Sequence, residues 1–425
     1  MNATIRMEHS LLAVEMEHTV HAMLDLVAPD APATARVPIS VALVIDRSGS
    51  MAGRKLEVVK ECAGYLIRRM GPEDRLALIT YDDQVELLAA PGGMEREDML
   101  DAVEGIFPGG GTNLSGGWLK GAEALLTERS HPSADGVAGP VRRVILLTDG
   151  RANVGIMEPG ALHDMVRTVA ADGIGTTTMG FGDDFDEDLL TGMSDACGGH
   201  AYYVDDPDQA PAIFAEELHG LVSLVAQNVS VEIHGSDAVA TVGVVNGFPQ
   251  VAVGGGVQIQ LGDALAQERR RVMFELSIPG LEELGVVAVA DVVLRWTSVG
   301  DEIAVHTRRI PIVVNAVTAR EARAAEAANG DPEVTEEILI LRAGAAAEEA
   351  RRRADRGDFE GARSLLTGAA SELRAQAETS PESAELAEQA GNLEASSVHM
   401  APGSYGARTR KLLQYRSHGS RRRRR

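Results

Sequence analysis

Apolar and polar residues follow different periods along this chain, and the pattern changes near residues 39, 221 and 316. Residues 4–28 hold two alternating segments, TIRME and TVHAMLDLV. In the second segment every other residue is apolar, which is typical of a strand with one buried face. These apolar residues are Val20, Ala22, Leu24 and Leu26. The pattern predicts strands within residues 1–38, followed by a connector rich in Pro and Ala.

Residues 39–220 alternate fully apolar runs with stretches in which apolar residues recur every three or four positions. ISVALVI and RRVILLT are typical of buried strands, while GRKLEVVKECAGYLIRRM places its apolar residues on one helical face. Such alternation predicts an α/β fold, in which a mostly parallel sheet is covered by helices on both faces.

Residues 221–315 contain strand-like runs separated by Gly-rich turns, among them VSVEI, GVQIQLG and VVAVADVVLRWT. That spacing predicts an antiparallel β-sandwich. We expect the strands of residues 1–38 to pack into this sandwich, so that the α/β domain is inserted within it.

The last hundred residues differ again. Residues 316–396 are rich in Ala, Glu and Arg with helical periodicity, which predicts either a plain helical hairpin or one tetratricopeptide-like (TPR-like) unit. Residues 397–425 are rich in Gly, Ser and Arg, and we expect a disordered basic tail. Its terminal Arg run indicates either an arm that binds anions or nucleic acid, or a weakly constrained end that docks on the protein's own acidic surface.

Composition narrows the functional classes. The 425 residues carry a net charge of −23, which argues against nucleic-acid or membrane-surface binding by the body of the protein. The two cysteines, Cys62 and Cys197, lack the spacing of a metal or redox motif, and we expect reduced thiols. The sequence shows no signal-peptide pattern and no apolar run of roughly 20 residues, so a cytoplasmic location is expected.

Polar side chains follow the first apolar strand of the α/β segment. VALVID ends at Asp46, and Ser48 and Ser50 come at alternate positions after it. In an open α/β sheet the carboxyl ends of the strands border the crevice where ligands bind. A carboxylate and two hydroxyls there provide oxygen ligands that suit Mg²⁺, Mn²⁺ or Ca²⁺, although Asp and Ser also cap helices.

Two further stretches favour a cation site over a helix cap. Thr112 lies in the Gly-rich loop PGGGTNLSGG just before a predicted helix, and RRVILLTDG ends an apolar strand at Thr148 and Asp149. Two strand ends that each deliver a carboxylate, together with a loop threonine, predict a cage made only of oxygen ligands.

These positions resemble the metal-ion-dependent adhesion site (MIDAS) of a von Willebrand factor A (VWA) domain. D-x-S-x-S at 46–50, Thr112 and T-D-G at 148–150 match that site in order and context. The resemblance covers roughly residues 39–220 and implies a Rossmann-like fold. The flanking segments are similar in layout to bacterial multidomain VWA proteins and to inter-alpha-trypsin-inhibitor-like heavy chains.

The resemblance implies that Ser48, Ser50 and Thr112 hold Mg²⁺, with Mn²⁺ or Ca²⁺ as alternatives, and that Asp46 and Asp149 contribute directly or through water. Three neutral hydroxyls leave the charge of the cation incompletely offset. Mg²⁺ also commonly keeps several waters, one of which a partner's Asp or Glu can replace. We therefore expect a cytoplasmic scaffold or sensor that binds an acidic side chain of a protein partner.

The sequence favours this function over several others. The sequence contains no GxxxxGK[ST], G-x-S-x-G or HExxH motif, so we expect no enzymatic activity, with a metal-dependent hydrolase as a minor alternative. The main alternative is an adaptor or assembly subunit of a MoxR-type AAA+ ATPase system. A surface adhesin is disfavoured because no export signal or anchor is visible.

Overall fold

Within the described residues the strands form three sheets, one of four strands and two of six. The computed structural model describes residues 1–30, 37–128, 140–299, 304–326, 330–378 and 383–422. Three strands come first: β1 (Asn2–Met7), β2 (Leu11–Ala13) and β3 (His18–Val27).

The next part of the chain alternates strands with helices. In order, these elements are β4 (Ile39–Asp46), α1 (Arg54–Arg69), β5 (Arg75–Tyr81), β6 (Val85–Ala89), α2 (Arg96–Glu104), α3 (Leu114–Glu128), β7 (Val141–Thr148), α4 (Pro159–Ala171), β8 (Ile174–Phe181), α5 (Glu187–Ala196), β9 (Ala201–Val204) and α6 (Ala210–Val222). They build the sheet β6-β5-β4-β7-β8-β9, in which only the edge strand β6 is antiparallel. The predicted mostly parallel α/β sheet is confirmed.

Strand β4 lies inside this sheet and is buried along its whole length. Successive side chains of a strand point to opposite faces, so its apolar residues divide between two cores. Val41, Leu43 and Ile45 pack in the core that contains the buried side of α1. Ala42 and Val44 pack in the opposite core, with residues of α3, α4 and α5. Helices on both faces therefore explain why this segment is an unbroken apolar run.

The seven strands after the α/β part complete two further sheets. They are β10 (Leu224–Gly235), β11 (Thr241–Val244), β12 (Gln250–Val253), β13 (Gly256–Leu265), β14 (Arg269–Ile278), β15 (Gly285–Ser298) and β16 (Val305–Val317). The sheets have the orders β1-β3-β14-β11 and β12-β13-β10-β15-β16-β2, and their buried side chains share one apolar core. Because β3 pairs with β14 along its whole length, the first and later strands belong to one two-sheet unit. The predicted domain boundaries remain predictions.

The α/β sheet touches the two-sheet unit through close backbone and ionic contacts. Arg143 on β7 is buried, and its Nη2 donates to Oδ2 of Asp263 on β13 at 2.8 Å. Nearby, a Cβ atom on Gly198 would lie 2.3 Å from Cα of Gly262, and both glycines have positive φ. Only glycine permits this approach of two backbones.

Five helices follow the strands. They are α7 (Ala319–Glu326), α8 (Pro332–Asp355), α9 (Phe359–Ala377), α10 (Ser383–Val398) and α11 (Ala407–Arg422). The side chain of Asp331 caps α8 and that of Asp358 caps α9, by accepting hydrogen bonds from backbone N–H groups of the first turn. Among the helices of the described residues, none combines the length and the apolar character that crossing a membrane requires.

The expectation of a disordered tail over residues 397–425 is wrong for most of the described part of that segment, because residues 407–422 form helix α11. Lys411 is buried, and its Nζ donates to O of Phe185 at 2.5 Å and to Oε2 of Glu187 at 2.7 Å. Arg410 also pairs with Glu187 and contacts Asp188 at 3.2 Å. This segment is rich in Lys and Arg and has no clear apolar pattern, so its sequence does not predict a helix. In the structure, an acidic surface of the α/β part neutralises these cations.

The same surface extends along α5. Asp195 accepts a hydrogen bond from Nε2 of His418 at 2.7 Å and lies 2.5 Å from Nη2 of Arg422. The ring of Tyr415 stacks on that of Tyr203 with centroids 5.7 Å apart. Residues 407–422 therefore dock on the protein's own acidic surface, whereas residues 423–425 of the terminal Arg run lie outside the described residues, and the choice between the two alternatives for that run remains a prediction.

Another buried carboxylate holds α6 against the sheet. Oε1 of Glu217 accepts from Oγ1 of Thr177 at 2.5 Å, and Oε2 accepts from the hydroxyl of Tyr202 at 3.0 Å and contacts Nδ1 of His200 at 2.9 Å. Burial alone would raise the pKa of Glu217, but His200 and Arg143 outweigh it and lower that pKa to about 2.

We predict that Glu187→Gln destabilises the protein by about 3 kcal/mol, because it leaves the ammonium group of Lys411 buried without a full counter-charge. The free energy of unfolding from urea titrations measures this cost. Asp164→Asn is the matched control: Asp164 forms an exposed pair with Arg167 on α4, so its loss should cost under about 1 kcal/mol. Equal effects of the two substitutions would contradict the packing of α11 described above.

Glu217→Gln should destabilise the protein at neutral pH by about 3 kcal/mol. A carboxyl with a lowered pKa contributes stability above its ordinary pKa of 4.5 and loses that contribution as the pH falls towards about 2. The difference between wild type and variant should therefore shrink between pH 4.5 and pH 2. Urea unfolding at a series of pH values tests this, and a difference that is constant with pH would contradict it.

Candidate metal centre

The candidate centre begins where β4 ends. The carboxylate of Asp46 is fully buried; its Oδ1 accepts from the backbone N of Ser48 at 2.8 Å, and its Oδ2 accepts from Oγ1 of Thr148 at 2.6 Å. Because β4 and β7 are parallel neighbours, Asp46 and Thr148 reach the same edge of the sheet. Both oxygens of Asp46 are thus oriented before any ligand arrives.

A chain of hydroxyl contacts joins the two carboxylates. Oγ of Ser48 lies 3.1 Å from Oγ of Ser50, which donates to Oδ1 of Asp149 at 2.7 Å. Ser50 lies in a short 3₁₀ turn, Gly49–Met51, between β4 and α1. The alternation of polar residues after β4 therefore brings both serines into contact with each other, and Ser50 into contact with the end of β7.

The Gly-rich loop crosses directly over this turn. The backbone N of Gly109 donates to O of Arg47 at 2.6 Å, and N of Gly49 donates to O of Gly110 at 3.1 Å. A Cβ atom on Gly109 would lie 1.9 Å from Oδ2 of Asp82, so no larger residue fits there. Glycine at position 109 therefore lets the backbone of this loop lie against the side chain of Asp82.

Thr112 is held in place by the loop that follows Asp149. Its backbone N donates to Oδ1 of Asn153 at 2.8 Å, and its O accepts from N of Asn153 at 3.1 Å. A Cβ atom on Gly150 would lie 3.3 Å from Oγ1 of Thr112 and 3.7 Å from Oγ of Ser50. The two hydroxyl oxygens therefore face the same small volume.

The charges of this cluster are unequally compensated. Asp149 is fully buried and pairs with Nζ of Lys55, in the first turn of α1. Burial raises the pKa of Asp46 to about 6; hydrogen bonds from Thr148 and Ser48 act against this rise, and the nearby charge of Asp149 adds to it. The hydrogen bonds that Asp46 accepts from the described residues come from neutral donors, Ser48 and Thr148, so a bound cation would add the positive charge that favours its ionised form.

The structure thus brings together the predicted residues Asp46, Ser48, Ser50 and Asp149 by direct hydrogen bonds, and it directs Thr112 towards Ser50. All five supply oxygen, which fits a hard divalent cation such as Mg²⁺. No group of three or more His, Cys, Asp or Glu side chains among the described residues is arranged to hold a metal ion, and the candidate centre itself contains two such side chains, Asp46 and Asp149. Metal binding by the five residues remains a prediction.

Three residues that orient the cluster were not predicted from the sequence. Thr148 belongs to the TDG motif, but its hydrogen bond to Asp46 depends on the pairing of β4 with β7. Asn153 comes three residues after the T-D-G motif and Lys55 five residues after the D-x-S-x-S motif, and this proximity is the signal that the sequence offers for both.

Part of the chain is similar to a known protein family. A family model described as von Willebrand factor type A domain matches residues 40–216. The uncharacterized protein YfbK of Escherichia coli (strain K12) is 24% identical over 264 residues, which cover 60% of this chain and 45% of that protein. The inter-alpha-trypsin inhibitor heavy chain H3 of Homo sapiens is 33% identical over 189 residues, which cover 43% of this chain and 21% of that protein. The chain thus spans less than half the length of these two relatives.

A solved structure is similar along nearly the whole chain. The von Willebrand factor type A protein from Catenulispora acidiphila superposes with a TM-score of 0.72 at 18% identity, and the match covers 98% of this chain and 96% of that one. At this identity the likeness concerns the fold.

Gly150→Ala tests whether the hydroxyls of Thr112 and Ser50 face a bound cation. The added methyl group would crowd both oxygens, and crowding a packed site costs about 1–3 kcal/mol, so we expect Mg²⁺ binding in calorimetry to weaken about tenfold. Gly368→Ala on α9 is the control, because its Cβ would meet no atom within 4 Å. Unchanged affinity in Gly150→Ala would contradict this placement of the cation.

Proposed function

We propose that this chain is a metal-dependent interaction module, because its residues 40–216 match the model of the von Willebrand factor type A domain, a family that often mediates protein–protein interaction. Asp46, Ser48, Ser50, Thr112 and Asp149 would hold a divalent cation, Mg²⁺ in the first place and Mn²⁺ or Ca²⁺ as alternatives. A bound divalent cation would supply a positive centre for an Asp or Glu carboxylate of the partner. The protein would act as a cytoplasmic scaffold or sensor.

The observation that carries this proposal is the donor set itself. Two buried carboxylates and three hydroxyls lie together near the ends of two neighbouring strands. The hydroxyl of Ser50 donates a hydrogen bond to Asp149. Such a set carries at most two negative charges, and neutral hydroxyls make up the rest. A carboxylate from outside can therefore add both a ligand and a charge.

The surroundings of the cluster favour binding over catalysis. Among the described residues, the polar side chains near the five residues include Thr148, Asn153, Lys55 and the buried Tyr81, which interacts with Asp46. Among the contacts of the described residues, no histidine reaches this cluster as a general base for an activated water. A hydrolase would need such a base beside the ion. We therefore propose no catalytic role for the five residues.

Isothermal titration calorimetry with Mg²⁺ and Mn²⁺ tests the first half of the proposal. The double variant Ser48→Ala/Ser50→Ala should lose binding, because two of the three hydroxyl donors are removed. The control Ser397→Ala/Ser404→Ala removes one hydroxyl from the last turn of α10 and one from the segment between α10 and α11, and it should bind as wild type does. Equal binding by wild type and Ser48→Ala/Ser50→Ala would contradict the site.

A pull-down with the same variants, in Mg²⁺ and in EDTA, tests the second half. A partner should be captured only by an intact site in Mg²⁺, and replacing its contacting Asp or Glu by Asn or Gln should abolish capture. A captured AAA+ ATPase whose association depends on nucleotide would instead assign the adaptor role. A partner retained in EDTA would contradict a metal-bridged contact.

A further inference from the structure

Lys55 places a positive charge directly on the candidate centre. It lies in the first turn of α1, and its Nζ donates to Oδ2 of Asp149. The neighbouring cation on that turn, Arg54, points elsewhere and pairs with Asp208 and Glu61. Of these two side chains, only Lys55 neutralises a carboxylate of the cluster.

Gly182 lies close to the other side of the Lys55 side chain. A Cβ atom on Gly182, which has a φ of +68°, would lie 3.6 Å from both Cε and Nζ of Lys55. The side chain of Lys55 is 26% exposed, whereas that of Asp149 is 0% exposed. The ammonium group therefore stands between solvent and the buried carboxylate.

Both oxygens of Asp149 are engaged in this arrangement. Oδ1 accepts from Oγ of Ser50 at 2.7 Å, and Oδ2 accepts from Lys55. Asp149 can ligate a cation directly only if it gives up or shares one of these contacts. The bond to Lys55 joins two opposite charges, so it is the stronger competitor.

An ordinary stabilising salt bridge is the simpler account of this pair. That account predicts that Lys55 supports the fold and either leaves cation binding unchanged or improves it, since the lysine orients Asp149. Competition predicts the opposite sign, because the ammonium group occupies the oxygen that the cation needs and also repels the cation. The two accounts are therefore separable by the direction of one affinity change.

We infer that Lys55 is an internal counter-ion that competes with the divalent cation for Asp149 and thereby lowers the affinity of the centre. This inference rests on the proposed function, since it concerns the same site. A centre weakened in this way is filled efficiently only when a partner carboxylate adds its own ligand and charge. Lys55 would thus couple occupancy of the cation site to the presence of the partner.

Calorimetric titration of Mg²⁺ and Mn²⁺ into Lys55→Met and Lys55→Gln tests this inference. Both variants should bind the cation about tenfold more tightly than wild type, the change expected when one competing charge-assisted hydrogen bond is lost. Lys55→Gln keeps a hydrogen-bond donor for Asp149, so it stays informative if Lys55→Met is poorly folded. Lys55→Arg retains the charge and should bind within twofold of wild type.

The matched control is Lys60→Met, which removes one positive charge from the same helix. Lys60 donates to the backbone O of Glu104 and lies 5.4 Å from the centroid of the Phe107 ring. This variant should leave cation affinity within twofold of wild type. An equal gain in Lys60→Met and Lys55→Met would mean that general charge, and not occupancy of Asp149, sets the affinity, and it would overturn the inference.

Failure of this inference can be told apart from failure of the proposed function. If wild type binds the cation and Lys55→Met and Lys55→Gln bind it equally or more weakly, Lys55 is a structural partner of Asp149 and the competition is refuted. If wild type and every Lys55 variant bind neither Mg²⁺ nor Mn²⁺, the cation site itself is refuted.

Discussion

A carboxylate buried at the end of strand β4 is the constraint on which the geometry of the candidate metal centre depends. Asp46 has no contact with solvent, and an ionised group in that position needs hydrogen-bond donors or a counter-charge. The backbone N of Ser48 and the hydroxyl of Thr148 are the two donors. Because Asp46 accepts both hydrogen bonds, the turn after β4 is held in place relative to the end of β7. The positions of Ser50 and Asp149 follow from that.

The sequence predicted this edge well because its signals are local. An unbroken apolar run that stops at a carboxylate identifies a strand buried on both faces and the point where it leaves the sheet, as in VALVID and VILLTD. Residues at the carboxyl ends of parallel neighbours meet by the geometry of the sheet alone. The sequence therefore predicts that five oxygen-bearing side chains lie close together.

The remainder depends on contacts between segments far apart in the chain. The composition of residues 397–425 predicts a disordered tail instead of helix α11, because it includes the cations of the segment but not the acids of α5 that neutralise them. The same limit applies to Asn153 and Lys55, whose partners Thr112 and Asp149 lie 41 and 94 residues away. The polarity of a segment and the spacing of its apolar residues predict its own secondary structure. They do not predict which distant residues it contacts in the folded protein.

The docking of α11 also bears on the order in which the chain can reach its final state. The acidic residues Glu187 and Asp188 lie more than 200 residues before the cations that neutralise them, Arg410 and Lys411. The six-stranded α/β sheet is complete by residue 204, and the buried residues of its two apolar cores lie at positions up to 224, so these parts of the chain are synthesised well before α11. The surface of α5 is then hydrated and negatively charged until residues 407–422 arrive. The acidic surface of α5 can thus be covered only after residues 407–422 have been synthesised, and its charge is neutralised by the last described helix of the chain.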